Sequence, residues 1–170
     1  VARELVPSQH RLVASPIGQL TLISTDGVLS GLYLPQHSHP PAAAALGPRV
    51  ETGLDAAITQ LAEYFAGERT AFTVPVILRG TEFQRQVWEL LRLIPFGQTR
   101  SYAQLSADLG NPAAIRAVAA ANGRNPVSIM VPCHRVIGSD GALVGYAGGL
   151  ERKRRLLELE GALPAANMLF

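Results

Sequence analysis

Apolar and polar residues alternate over positions 10–14, 19–25 and 28–34. A period of two is the signature of strands with one buried face. Ser15-Pro16-Ile17-Gly18 and Asp26-Gly27 separate the runs and supply turns. Residues 35–48, rich in Pro, Ala and His, predict a mobile loop. Leu54, Ile58, Leu61 and Phe65 then recur at i, i+4, i+7 and i+11, one face of a helix, with Gly67 suited to the position after its end. Residues 74–78 form a short strand candidate, and Arg79-Gly80 reads as the join between two units, 1–79 and 80–170.

The second half changes period. Thr81 with Gln84 forms a capping box, followed by an apolar face of Phe83, Val87, Leu90, Leu91 and Ile94 and a break at Pro95-Phe96-Gly97. Ser101 and Gln104 form a second capping box for a short helix over 102–109, ended by Gly110. Asn111 with Pro112 predicts the start of a third helix running to about Asn122, stopped by Gly123. Two short helices joined at Gly110-Asn111 make a helix-turn-helix pattern. The second of them carries almost only small residues: Ala113, Ala114, Ile115, Arg116, Ala117, Val118, Ala119, Ala120, Ala121. A helix that reads major-groove edges needs several Arg, Asn, Gln or Ser, so that mode is excluded. Two readings stand. The helix approaches a narrow groove closely with Arg116 reaching into it, or it is a buried Ala-rich helix with Arg116 solvated at its edge.

The 170 residues, 48% hydrophobic and 16% charged, exclude disorder, collagen and coiled coil as the main state. The first 79 residues hold five Arg and six acids. The rest hold nine Arg, one Lys and seven acids, so the modest positive charge gathers in the second half. This is a weak pointer to a polyanion; high Arg usage also follows from genomic base composition, and from charge alone a solvated surface is the better account. No apolar run is long enough to span a membrane, and Val1-Ala2-Arg3-Glu4 lacks the order of a signal peptide. One unpaired cysteine suits a reducing compartment, so a cytosolic location is expected.

Chemistry concentrates around that cysteine. Residues 127–131 form a short β-like run, followed by Pro132-Cys133-His134-Arg135-Val136. A thiolate is the reactive form, and a neighbouring base or cation raises its population. Adjacent strand residues point opposite ways, so His134 reaches the sulfur directly or through a water. A buried, inert thiol is the plain alternative. Ser139-Asp140-Gly141 marks a turn, and Gly145-Tyr146-Ala147-Gly148-Gly149 is a Gly-rich loop without P-loop spacing. In the terminal helix, 151–160, Leu156, Leu157 and Glu160 share a sector, so Glu160 points inward or sits at a frayed surface end. His37-x-His39 offers two metal-ligand types with no third in view, and no metal or cofactor is expected.

The Pro132–Val136 segment resembles the PCHRV signature of the O6-alkylguanine-DNA alkyltransferases. Ser101-Tyr102, Arg116-Ala117-Val118, Asn125-Pro126, Ile137-Gly138, Gly145-Tyr146-x-Gly148-Gly149 and Lys153…Glu160 follow in the family's order and spacing. The likeness is close over 81–162 and loose before it. It implies an α+β fold: an N-terminal β-sheet/helix domain followed by a mostly helical C-terminal domain with a winged helix-turn-helix-like DNA-binding motif. It also implies that Cys133 takes an alkyl group from O6 of guanine, with O4 of thymine as a further source, and keeps it. His134 would withdraw the thiol proton through a water, Glu160 would orient the imidazole, Tyr102 would donate toward N3 of guanine, and Asn125 would brace the active-site turn. Pro132, Val136, Tyr146, Ala147 and Gly148 would line the guanine pocket. Tyr102, Ala113, Ala114, Ala117, Ala120 and Arg124 would meet DNA, with Arg116 replacing the flipped nucleotide. The implied partner is double-stranded DNA containing O6-alkylguanine, entered from the minor groove by a protein that is monomeric in solution and compatible with cooperative binding along DNA.

The chain departs from that family pattern in places. It lacks the N-terminal cysteines with which some members hold zinc, Ile115 is bulkier than the expected Ala, and Ala147 replaces a hydroxyl residue of some members. Two other functions fit parts of the sequence: a non-catalytic helix-turn-helix regulator or lesion sensor, and a Cys-His hydrolase.

Overall fold

Residues 7–163 are described by a computed structural model; the opening Val1-Ala2-Arg3-Glu4 and the end of the 80–170 unit beyond 163 lie outside the described residues. The alternating runs become β1 (Ser8–Val13), β2 (Leu20–Thr25) and β3 (Val28–Tyr33), an antiparallel sheet of order β1-β2-β3. Asp26 and Gly27 both have positive φ, 53° and 77°, so the β2–β3 turn has the twist that suits a tight hairpin. Residues 35–48 are more structured than their composition suggests. They hold a short helix, α1 (Ala43–Leu46), His37 is buried, and the Ser38 N–H donates to the Ala147 carbonyl at 2.8 Å. Contacts from 100 residues downstream, invisible in local composition, fix the segment.

Helix α2 (Asp55–Phe65) buries Ala57, Leu61 and Tyr64. It ends in a Schellman motif, with the Gly67 N–H on the Tyr64 carbonyl and the Glu68 N–H on the Glu63 carbonyl. Residues 74–78 do not form a strand. They touch β3 by one bridge, Leu29 to Val76, and the Ile77 N–H donates to the Leu29 carbonyl.

Thr81 and Gln84 form the expected capping box on α3 (Glu82–Arg92). The buried face of α3 is Val87, Trp88 and Leu91, and Trp88 donates to the Ala121 carbonyl at 2.8 Å. Strand β4 (Arg100–Ser101) leads into α4 (Tyr102–Asp108), whose Ser101–Gln104 capping box is complete. Helix α5 spans Ile115–Gly123, starting later than Asn111-Pro112 predicts. Helix α4 ends in a second Schellman motif, with the Asn111 N–H on the Ser106 carbonyl and the Gly110 N–H on the Ala107 carbonyl. The Ala114 N–H then donates to the Asn111 carbonyl in a turn over 111–114, and α5 starts after that turn with no side-chain cap. Gly123 is the last residue of α5 and not its stop.

Residues 127–131 are turns, not a strand; their one ladder contact is a parallel bridge from Val127 to Leu32 of β3. After a single 3-10 turn over Cys133–Arg135, β5 (Val136–Ile137) pairs in parallel with β4, and α6 (Leu150–Leu159) closes the fold. One apolar cluster runs from Leu20, Leu22 and Leu32 through Tyr64, Trp88 and Val118 to Val131, Cys133 and Leu156. The thiol thus sits in a core shared by sheet and helices. Among the described residues no helix is long and apolar enough to cross a membrane.

Candidate active site

The thiol is presented by an irregular segment that needs explicit bracing. Asn125 is buried; its side-chain oxygen accepts the Val127 N–H at 3.0 Å and its amide donates to the Val131 carbonyl at 2.7 Å. Two backbone groups that lack a ladder are thereby satisfied. Inside this turn Ile129 has φ 72°, a left-handed conformation that is strained for a β-branched residue. The 3-10 turn then fans Cys133, His134 and Arg135 into different directions, all three buried. That geometry replaces the up-and-down alternation expected of a strand.

Glu160 lies at the C-terminal end of α6 and points inward, 4% exposed. Its Oε2 accepts from His134 Nε2 at 2.7 Å and from an Arg135 terminal nitrogen at 3.0 Å, and its Oε1 accepts from Arg135 Nε at 2.7 Å. Burial alone would raise the carboxyl pKa. The His134 and Arg135 contacts outweigh that and lower it to about 2. An ionised carboxylate accepts, so His134 Nε2 carries the proton and Nδ1 is the basic nitrogen. Nδ1 is buried and has no hydrogen-bond partner among the described protein groups.

Burial raises the Cys133 thiol pKa, while Asn125, Lys153 and Tyr146 act in the opposite direction. Burial likewise lowers His134, against the pull of Glu160. Both groups rest neutral near pH 7. Lys153 is fully buried, lowered to about 8 chiefly by desolvation, and its ammonium donates to the carbonyls of Val136, Val144 and Gly145. It therefore ties the strand after the thiol to the Gly-rich loop. The Tyr146 hydroxyl is buried with no nitrogen or oxygen partner among the described residues, and it faces the sulfur closely enough to favour the thiolate.

A cleft of about 390 Å³ opens beside these groups, lined by Ser38, His39, Tyr102, Ala119, Asn122, Gly145, Tyr146 and Ala147 among others. The Tyr102 hydroxyl donates to the Val144 carbonyl at 3.3 Å. Gly148 packs so closely on Leu34 that a Cβ there would lie 2.7 Å from a Leu34 methyl. Tyr102, Tyr146 and Ala147 thus share one cleft. Val136 is buried beneath, and Pro132 lines a different cavity of about 580 Å³ with Phe72, Phe96 and Arg135. Along α5 one face is buried through Val118, Ala121 and Asn122. The opposite face exposes Arg116, Ala117, Ala120 and Arg124, with Ala113 exposed and Ala114 half-buried in the turn before the helix.

Several groups of the site escaped the sequence reading. Asn122 donates to the Cys133 carbonyl at 3.4 Å, and Arg152 bridges the Ile17, Pro35 and Gly148 carbonyls. Tyr64 of α2 reaches Glu160 from 96 residues away. Lys153, by contrast, is signalled in the sequence as the lone lysine and through the Lys153…Glu160 spacing. Tyr64 carries no such signal, because its place beside Phe65 on an apolar helix reads as ordinary core.

Fold and site together define an α+β protein with one cysteine-centred site set behind a helix-turn-helix. Two family models match in succession: 6-O-methylguanine DNA methyltransferase, ribonuclease-like domain, over residues 9–78, and 6-O-methylguanine DNA methyltransferase, DNA binding domain, over 82–162. The chain belongs to the 6-O-methylguanine DNA methyltransferase family. It is 49% identical to a methylated-DNA--protein-cysteine methyltransferase of Mycolicibacterium paratuberculosis, over 95% of this chain and 98% of that one. It is 47% identical to the protein of the same name from Mycobacterium tuberculosis, over 94% and 96%. The crystal structure of Mycobacterium tuberculosis OGT in complex with DNA superposes with a TM-score of 0.85 at 47% identity, covering 91% of this chain and 93% of that one.

Proposed function

We propose that this chain reverses alkylation damage in DNA directly, moving an alkyl group from O6 of guanine onto Sγ of Cys133 in one irreversible turnover. The single observation that carries this reading is the 2.7 Å bond between His134 Nε2 and the ionised Glu160, which leaves Nδ1 as a base on the residue that follows the one cysteine of the chain. The thiol proton passes through a water to Nδ1, and Glu160 stabilises the imidazolium so formed. The thiolate attacks the alkyl carbon in line with its bond to O6. The S–C bond forms, the C–O6 bond breaks, and its electron pair returns to the guanine ring. Tyr102, donating toward N3, supplies the proton that lets guanine leave neutral, and the phenolate so formed takes up, through solvent, the proton released from the His134 imidazolium. A thioether does not hydrolyse readily, so each chain acts once.

The target atom lies within a duplex, so the base is extruded at a cost of a few kcal/mol. The exposed small-residue face of α5 supports close approach from the minor groove, and exposed Arg116 fills the vacated stack. Ala113, Ala117, Ala120 and Arg124 share that surface, with Ala114 at its edge. The cleft of Tyr102, Tyr146 and Ala147 receives the base, with Val136 and Gly148 supporting its walls. The DNA complex of the Mycobacterium tuberculosis relative supports duplex DNA as the partner. We place the junction of the two units at Arg79-Gly80, between the two family matches.

Intact mass spectrometry after incubation with O6-methylguanine duplex tests the reading. One methyl is gained on Cys133, uptake plateaus at one equivalent, and Cys133→Ser gains nothing. No mass gain in folded protein that binds the lesion would establish a non-catalytic sensor. Continuous product release from an ester or peptide would establish a hydrolase.

A further inference from the structure

We propose that Tyr64, on α2 in the N-terminal half, is a positioning residue of the alkyl-transfer site, its hydroxyl fixing the carboxylate that orients His134. The inference rests on the reading of Cys133 as alkyl acceptor and adds to it a group from the other half of the chain.

The Tyr64 hydroxyl donates to Glu160 Oε2 at 2.6 Å, and the residue is 1% exposed. Oε2 is also the oxygen that accepts His134 Nε2 at 2.7 Å, so Tyr64 holds the same atom that orients the imidazole. His134 Nδ1 has no protein partner among the described groups, so the ring relies on its Nε2 bond for orientation. The Tyr64 ring is itself walled by Phe65, Phe72 and Phe96, with centroids 5.2, 5.3 and 6.3 Å away. The hydroxyl therefore acts from a fixed place. Burial and the Glu160 carboxylate both oppose ionisation of the phenol, which keeps it a donor.

The position of Glu160 explains why a further donor is needed. It caps the C-terminal end of α6, where the helix dipole disfavours a negative charge. Donors from elsewhere must sustain the anion, and they come from Arg135, His134 and Tyr64. Arg135 is anchored separately on the Ile94 carbonyl at 2.7 Å and neutralises the charge. Tyr64 occupies a further acceptor site of Oε2 and limits how the carboxylate can slide along the guanidinium. The N-terminal half is in this way part of the proton relay and not only its cover.

The test compares full-length wild type with Tyr64→Phe, which removes one oxygen and keeps the ring. Rates toward free O6-benzylguanine and toward O6-methylguanine duplex fall by one shared factor of about tenfold, as expected for a lost hydrogen bond to a charged group. Duplex affinity and the one-methyl stoichiometry stay unchanged, and the low-field 1H NMR resonance of His134 Nε2–H shifts. In a Glu160→Gln background the same substitution changes the rate less than about twofold, because its route is already cut. Wild-type rates in Tyr64→Phe overturn the proposal, as does a full tenfold loss that persists beside Glu160→Gln. If wild type takes up no alkyl group, the functional reading has failed. The NMR resonance then decides on Tyr64 alone: a shift supports its positioning role and an unmoved signal refutes it.

Discussion

The surroundings of Cys133 and the outer face of α5 follow opposite physical strategies. Around the thiol, Asn125, His134, Arg135, Lys153 and Glu160 are all buried, and each makes at least one hydrogen bond to a named partner. Along α5, Arg116, Ala117, Ala120 and Arg124 are exposed, and the side chains are short. The first region specifies geometry by holding each of these five side chains in hydrogen bonds, while His134 Nδ1 and the Tyr146 hydroxyl have no partner among the described residues. The second specifies little by itself and leaves room for a partner to approach. A substitution near the thiol should therefore damage fold and chemistry together, whereas one on α5 should damage only the encounter with DNA.

The largest effect is expected for Glu160→Gln. Removing the carboxylate leaves Arg135 buried without its counter-ion, a change that costs about 3–5 kcal/mol. Alkyl transfer to Cys133 slows by on the order of 100-fold as the base loses its support. The pH dependence gives a sharper check. The Glu160 pKa is lowered on folding, so its stabilisation is complete above the unfolded value of about 4.3 and is lost as pH falls toward about 2. Wild type loses on the order of 3 kcal/mol in that window. Denaturant titrations between pH 5 and 2, with pH values on the order of one unit apart, should show this limb in wild type and its disappearance in Glu160→Gln. An identical limb in both proteins would show that another carboxylate carries it.

Methylation of Cys133 should have a smaller effect of the same kind. Cys133 is 4% exposed in the shared core, and added volume in a packed site typically costs about 1–3 kcal/mol. The methylated protein should melt lower than the unmodified one by differential scanning calorimetry. An equal or higher Tm would mean that the cleft of Tyr102, Tyr146 and Ala147 absorbs the group without strain.

The same contrast governs what could be read from sequence. The three strands and both capping boxes are local devices, and their signals lie within a few residues of each other: Asp26-Gly27, Thr81 with Gln84, Ser101 with Gln104. The start of α5 is less legible, because Asn111-Pro112 has the composition of a helix start yet forms a turn, with the Ala114 N–H on the Asn111 carbonyl, before the helix begins. Residues 127–131 look like a strand because they are apolar, yet the Asn125 side chain folds them into turns. Cys133, His134 and Glu160 were legible through spacing and family likeness. Tyr64, Arg152 and Ser38 were not, since each reaches a partner 96 to 135 residues away and nothing local distinguishes them.

Arg116→Ala offers the cleanest way to separate the two regions, with the smallest expected cost to the fold. Arg116 is exposed, so its loss should change stability by no more than about 0.5 kcal/mol. If it fills the stack left by an extruded base, its removal raises the cost of extrusion and slows repair of O6-methylguanine duplex by about tenfold, roughly 1.4 kcal/mol. Free O6-benzylguanine needs no extrusion, so its rate of reaction with Cys133 should stay at the wild-type value. Side-by-side rates on the two substrates, taken at one fixed salt concentration, settle the matter because phosphate contacts are salt-dependent. Equal losses on both would mean that Arg116 acts on the site itself, and the division between a self-sufficient thiol pocket and a surface completed by DNA would fail. A loss confined to the duplex would locate the energetic role of Arg116 in opening the helix.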